Sequence, residues 1–152
     1  LYAEQALEVV TQFSKRLYEP LHNGKGKSVV EALNSDEDMT DVIAVSLTEY
    51  VIEQVSQHRE SLIAEQAFRY EAILNPHLRK LGEVHKVALM QKLTDLLTLM
   101  QSAHPAEDAA IVISVLHRIE YEGLLLESEE LDKKAIYSTL LRMLSLLFSP
   151  RK

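Results

Sequence analysis

Two apolar helical stretches near the C-terminus constrain this chain more than any other feature. Residues 109–126 read AAIVISVLHRIEYEGLLL and residues 131–148 read LDKKAIYSTLLRMLSLLF. Each carries apolar side chains around more than one face, whereas a surface helix of a soluble monomer needs only one apolar stripe. The excess predicts that a second copy of the chain covers both helices, giving a four-helix interface in a homodimer. Leu116, Ile119, Leu140, Leu144 and Leu147 are the expected apolar contacts, and Gly123 is the expected point of close backbone approach. An obligate interface of this kind buries more than about 2,000 Å² in total. The competing reading makes both stretches central core helices of one protomer.

The remaining sequence bounds the class. A chain of 152 residues is long enough for one domain that buries roughly 70% of its unfolded surface. Only four Gly and four Pro leave little loop material. Cysteine is absent, which excludes disulfides, thiolate metal sites and a cysteine nucleophile, and fits a reducing, cytoplasmic compartment. No apolar run approaches the roughly 18 residues of a membrane span, and no secretory signal opens the chain. A net charge of −7 argues against a nucleic-acid-binding surface, because phosphate contacts need clustered Lys and Arg. Lys25 and Lys27 form only a short loop pair, and Arg151 and Lys152 a tail.

Helical periodicity runs throughout, so the expected fold is all-α, a single bundle of about five to six helices. Leu7, Val10, Phe13, Leu17 and Leu21 recur at three- and four-residue steps from the first residues onward, and no capping residue precedes them. The chain is therefore expected to be a piece of a longer protein, entered just inside a helix. That helix, residues 1–19, stops at Pro20. Residues 22–27 form a flexible loop, Ser28 caps a short helix 28–33, and the acidic stretch 34–38 feeds the next helix. Residues 41–74 contain neither Gly nor Pro, and a break is expected near 57–60. Asn75-Pro76 is a cap followed by a proline at the first helical position, and opens a helix over 76–102. His104-Pro105 repeats the device, and Ser128 opens the last helix, which Ser149-Pro150 closes.

Catalytic signatures are lacking. The histidines are His22, His58, His77, His85, His104 and His117. The only Glu-x-x-His match, Glu19 to His22, is broken by Pro20, so a carboxylate-bridged metal pair is not expected. No P-loop, dinucleotide fingerprint or nucleophile elbow occurs. The expectation is therefore no enzyme, no metal and no cofactor. An all-α enzyme for an apolar substrate needs a buried His–carboxylate pair, with His85 or His117 as the test positions.

Polar groups set into apolar stripes point elsewhere. Tyr50 and Gln54 share a face with Leu47 and Val51, and Gln66 and Tyr70 lie between Ile63 and Ile73. His85 sits between Leu81 and Leu89, and Tyr121 interrupts the stripe near His117. An apolar ligand cavity with a few orienting polar groups has this pattern. The expected walls are helices 1–19, 41–57, 61–74 and 76–102, closed by 109–126. The bland alternative places each group at the core edge with its polar tip in water.

The order of parts resembles the C-terminal effector-binding and dimerisation domain of TetR-family transcriptional regulators. The most specific piece is residues 61–79, SLIAEQAFRYEAILNPHLR, similar to that family's helix, Asn/Asp-Pro-x-Leu-Arg joint and long amphipathic helix. A second is residues 119–127, IEYEGLLLE, similar to an Asp/Glu-Gly-Leu-Leu late in the penultimate helix. The resemblance spans nearly the whole chain on degenerate motifs. It implies a helix-turn-helix head before Leu1, with 1–19 as the connector and 105–148 as the dimerisation helices. It further implies a repressor in which a small apolar or amphipathic effector shifts the conformation that controls DNA binding. The alternative is a helical interaction module or structural dimer with no small-molecule site.

Overall fold

Residues 39–56 alternate apolar and polar positions at helical spacing and form α1, Met39–Ser56. The computed structural model describes residues 39–148, and these hold five α-helices and no strand. The all-α expectation therefore holds across the described part. The segments read as connector helix 1–19, loop 22–27 and short helix 28–33 lie outside the described residues, as do Ser149-Pro150 and both basic pairs.

Ile43, Leu47, Tyr50, Val51, Gln54 and Val55 all face inward from α1. The chain breaks at Gln57 and His58, within the expected window. Helix α2, Arg59–Leu74, then begins. Arg59 spans back to the end of a later helix, donating from Nη2 to the Leu124 carbonyl at 2.6 Å and from Nη1 to that of Leu126 at 3.3 Å. Those carbonyls would otherwise lack intrahelical partners.

Helix α3 is Pro76–Leu99. Asn75 performs as expected: its side chain accepts from the His77 N–H at 3.0 Å. The helix ends earlier than the expected Ser102. Gln101 adopts a left-handed backbone, φ 63°, and the Ser102 N–H returns to the Leu97 carbonyl at 2.9 Å. This is a Schellman termination with Gln where glycine is the common choice. Helix α4, Pro105–Leu124, follows. Its start differs from that of α3, because His104 makes no side-chain cap. Ser102 Oγ instead accepts from the His104 N–H at 3.1 Å and donates to Asp108 Oδ2 at 2.6 Å. Ser128 does not open the last helix either. Ser128–Glu130 is an isolated 3₁₀ turn, and Asp132 caps α5, Lys133–Leu147, by accepting from the Ala135 N–H.

Helix α1 packs most extensively on α5, and α3 packs on α4 and α2. Contact between α4 and α5 is slight by comparison. Of the residues expected at the interface, Leu116, Leu140 and Leu144 are no more than 2% exposed, inside the protomer's own core. Gly123 is also an internal contact: a Cβ there would stand 3.1 Å from both methyls of Val55 on α1. Ile119 and Leu147 are half-buried against the same core. The apolar side chains that α4 and α5 do expose are Ile111, Tyr121 and Leu146, with Leu125 and Leu126 just beyond α4.

Candidate functional site

Helix α4 carries a stripe at three- and four-residue steps, Ala109, Val112, Leu116, Glu120 and Gly123, and all five are buried. Glu120 therefore sits where the helix repeat demands an apolar group. It is 6% exposed, and none of its side-chain atoms has a hydrogen-bond partner among the described residues. Facing it from α2 is Glu65, half-buried, whose Oε2 is sealed from solvent and has no hydrogen-bond partner. His117, one turn before Glu120, completes the group.

These side chains surround a small chamber of about 20 Å³ between α1, α2, α3 and α4, walled also by Tyr50, Leu89, Leu93, Ile113 and Leu116. That volume matches about one water-sized group. Glu65, Leu89, Ile113 and His117 also line a half-open cleft of about 670 Å³ between α2, α3 and α4. The chamber thus adjoins the inner wall of the cleft. Phe68, Ala72 and Met90 add apolar lining, while Arg69, Arg79, Glu83, His85 and Lys86 bring charge and polarity. Arg79 is held in place by donating from Nη2 to the Ile73 carbonyl at 2.8 Å. The size falls within the usual range of small-molecule sites, roughly 300–1,000 Å³.

Burial dominates the electrostatics. Loss of solvent pushes the Glu120 carboxyl up to about 8, and the Glu65 charge adds to the effect against a smaller opposing pull from Arg69. Burial raises Glu65 as well, again opposed by Arg69. His117 is held down to about 4, first by burial and then by Arg69. At neutral pH the chamber therefore holds a protonated Glu120 and a neutral imidazole. Both are poised by desolvation, a condition that clusters at functional sites.

The residues expected from sequence divide. Tyr50 lines the chamber and His85 lines the cleft. Gln66 is adjacent on α2, half-buried, with Nε2 sealed off and unpartnered. Gln54 is buried on α1 but lines neither space. Tyr70 and Tyr121 are 65% and 55% exposed and line neither space. The cause on α2 is a phase error. Its buried stripe runs through Leu62 and Phe68, with Glu65 between them, while Ile63, Tyr70, Ile73 and Leu74 are largely exposed. The expected cavity wall 1–19 lies outside the described residues.

A second groove, about 550 Å³, runs between α1 and α5 past Glu49, Glu53, Lys133, Lys134 and Tyr137. Both lysines are exposed, and Tyr137 donates its hydroxyl to Asp41, so this groove keeps its polar groups satisfied at the surface. Among the described residues no three His, Asp or Glu side chains converge as metal ligands, and no helix is long and apolar enough to cross a membrane. No protein-family model and no curated protein matches the chain.

Proposed function

We propose that this chain is the ligand-sensing and dimerisation body of a transcriptional regulator, of the kind its TetR-family resemblance implies. A small amphipathic effector enters the α2–α3–α4 cleft. DNA contacts belong to a domain outside this sequence, consistent with the net charge of −7. The observation that carries the reading is the cleft of about 670 Å³ with the sealed, unpartnered Glu65 Oε2 on its wall. A ligand with a donor group would give that oxygen the partner it lacks among the described residues. Such a ligand shifts the equilibrium only as far as it prefers one conformation of the body over the other. Two copies pair through the apolar residues that α4 and α5 expose, Ile111, Tyr121 and Leu146, together with Leu125.

The test is a melting-temperature screen of the full chain against small amphipathic molecules. A ligand present at about a hundred times its dissociation constant stabilises by about 2.7 kcal/mol, a shift of several degrees for a domain of this size. A screen in which no compound moves the melting temperature contradicts the ligand-sensing role. It favours instead an interaction module without a small-molecule site, a reading that draws support from the exposed Leu81, Val84 and Val87 on α3.

A further inference from the structure

We propose that the cleft selects a lipophilic primary amine, with its ammonium head in the chamber between Glu65 and Glu120 and its apolar body along Phe68, Leu89 and Ile113. This rests on the ligand-sensing reading and names the chemical class of that ligand. Three observations support it. The chamber is rich in acceptors: an unpartnered Glu65 oxygen, the buried Glu120 carboxyl, and the neutral His117 imidazole with one acceptor nitrogen. Its volume of about 20 Å³ suits one water-sized head group such as an ammonium. The adjoining space, about 670 Å³, is lined beside those acceptors by Phe68, Leu89, Met90 and Ile113. An ammonium supplies three donors and, inside the chamber, a positive charge additional to the weaker pull of Arg69 on both carboxyl groups.

The charge balance has a measurable consequence. Glu120 is protonated in the empty site at neutral pH. Pairing it with an ammonium ion stabilises the carboxylate, so binding releases a proton to solvent and tightens as pH rises from about 6 to about 8. The groups facing Glu120 are Tyr50 from α1, Glu65 and Arg69 from α2, and His117 on its own helix. His85 and Lys86 of α3 stand further out in the cleft. His117 stays neutral across that window and leaves the sign unchanged. Arg69, Arg79 and Lys86 would instead favour an anion, and the test separates the two.

Calorimetry of the full chain with 4-phenylbutylamine, 4-phenylbutan-1-ol and 4-phenylbutyrate compares a cation, a neutral molecule and an anion of one shape. The amine is expected to bind at least about tenfold more tightly than the alcohol, with proton release visible in buffers of different ionisation enthalpy. In Glu120→Gln, and separately in Glu65→Gln, that preference should shrink, and in Glu120→Gln the proton release should vanish. Alcohol or carboxylate binding as tightly as the amine overturns the amine assignment and leaves the cleft as a ligand site. Full retention of the preference in both variants overturns it as well. If none of the three binds and the screen above also finds nothing, the ligand-sensing reading falls with it.

Discussion

Helix α1 has two neighbourhoods built on different terms. Toward α5 it meets an apolar wall: Leu140 and Leu144 are at most 1% exposed, and Ala44 and Val51 are closed equally tightly. Toward α2 and α4 the interior instead contains Glu65, His117 and Glu120 around a void that opens into a cleft. One side gains stability from close packing, and each buried methylene there contributes about 0.8 kcal/mol. On the other side, Glu65 Oε2 and Gln66 Nε2 are sealed without partners among the described residues, at about 1–3 kcal/mol for each buried group so left. Proteins retain such costs where function needs them. The contrast separates a closely packed side of the molecule from a side with buried polar groups around a void.

The contrast can be broken by substitution on either side. Leu140→Ala removes a fully buried side chain from the packed side and should lower the unfolding free energy by about 2–5 kcal/mol in urea denaturation. A loss below about 0.5 kcal/mol, the range of surface changes, would show that this side is not close-packed. Glu120→Met should do the reverse, raising stability by about 1 kcal/mol or more, because an unpartnered carboxyl gives way to an apolar group of similar length. A destabilised Glu120→Met protein would mean that Glu120 has a partner and that the two sides are alike. The smallest effect belongs to Tyr70→Ser. Tyr70 is 65% exposed, so stability should stay within about 0.5 kcal/mol and the ligand-induced melting shift should persist.

The fold was largely legible because local chemistry specifies it. Asn75-Pro76 is a cap with one mechanism, the break falls within 57–60, and Leu47, Tyr50, Val51 and Gln54 share the inward face of α1 as read. The α4 start was less legible: Pro105 marks it, but a serine two residues before His104 supplies the polar contacts. The site was half legible. Tyr50 and His85 stood out as polar breaks in apolar rows. Glu65 and Glu120 did not, because glutamate on a helix ordinarily faces water. A usable signal existed, since Leu116, Glu120 and Gly123 keep the spacing of the buried stripe. On α2, Ile63 and Tyr70 drew the inward face to the wrong phase, because an apolar side chain near the surface carries little information about direction. Three of the expected dimer contacts, Leu116, Leu140 and Leu144, pack within the protomer for a related reason. Apolar excess on α4 and α5 says that much of each helix is covered, and it does not say whether α1 or a second protomer does the covering.

The central claim is that Glu120 is buried beside Glu65 on the open side of α1, and the pH dependence of stability tests it most directly. A carboxyl raised from 4.5 to about 8 keeps its proton in the folded protein after the unfolded chain has lost its own. The folded state then binds more protons, and stability is lost as pH rises through that window. Glu65, also raised, acts in the same sense. His117, lowered from 6.5 to about 4, acts oppositely, since stability is lost as pH falls through its window. Between pH 4.5 and 6.5 the two slopes therefore oppose one another. Between 6.5 and 8 the histidine contribution is gone and the carboxyl slope remains, at most about 1.4 kcal/mol per pH unit for one group. Urea denaturation at pH about 6.5 and about 8 should show stability falling in the native chain and a clearly flatter response in Glu120→Gln. Stability that rises or stays level over that interval, or an equal slope in the variant, would contradict the claim.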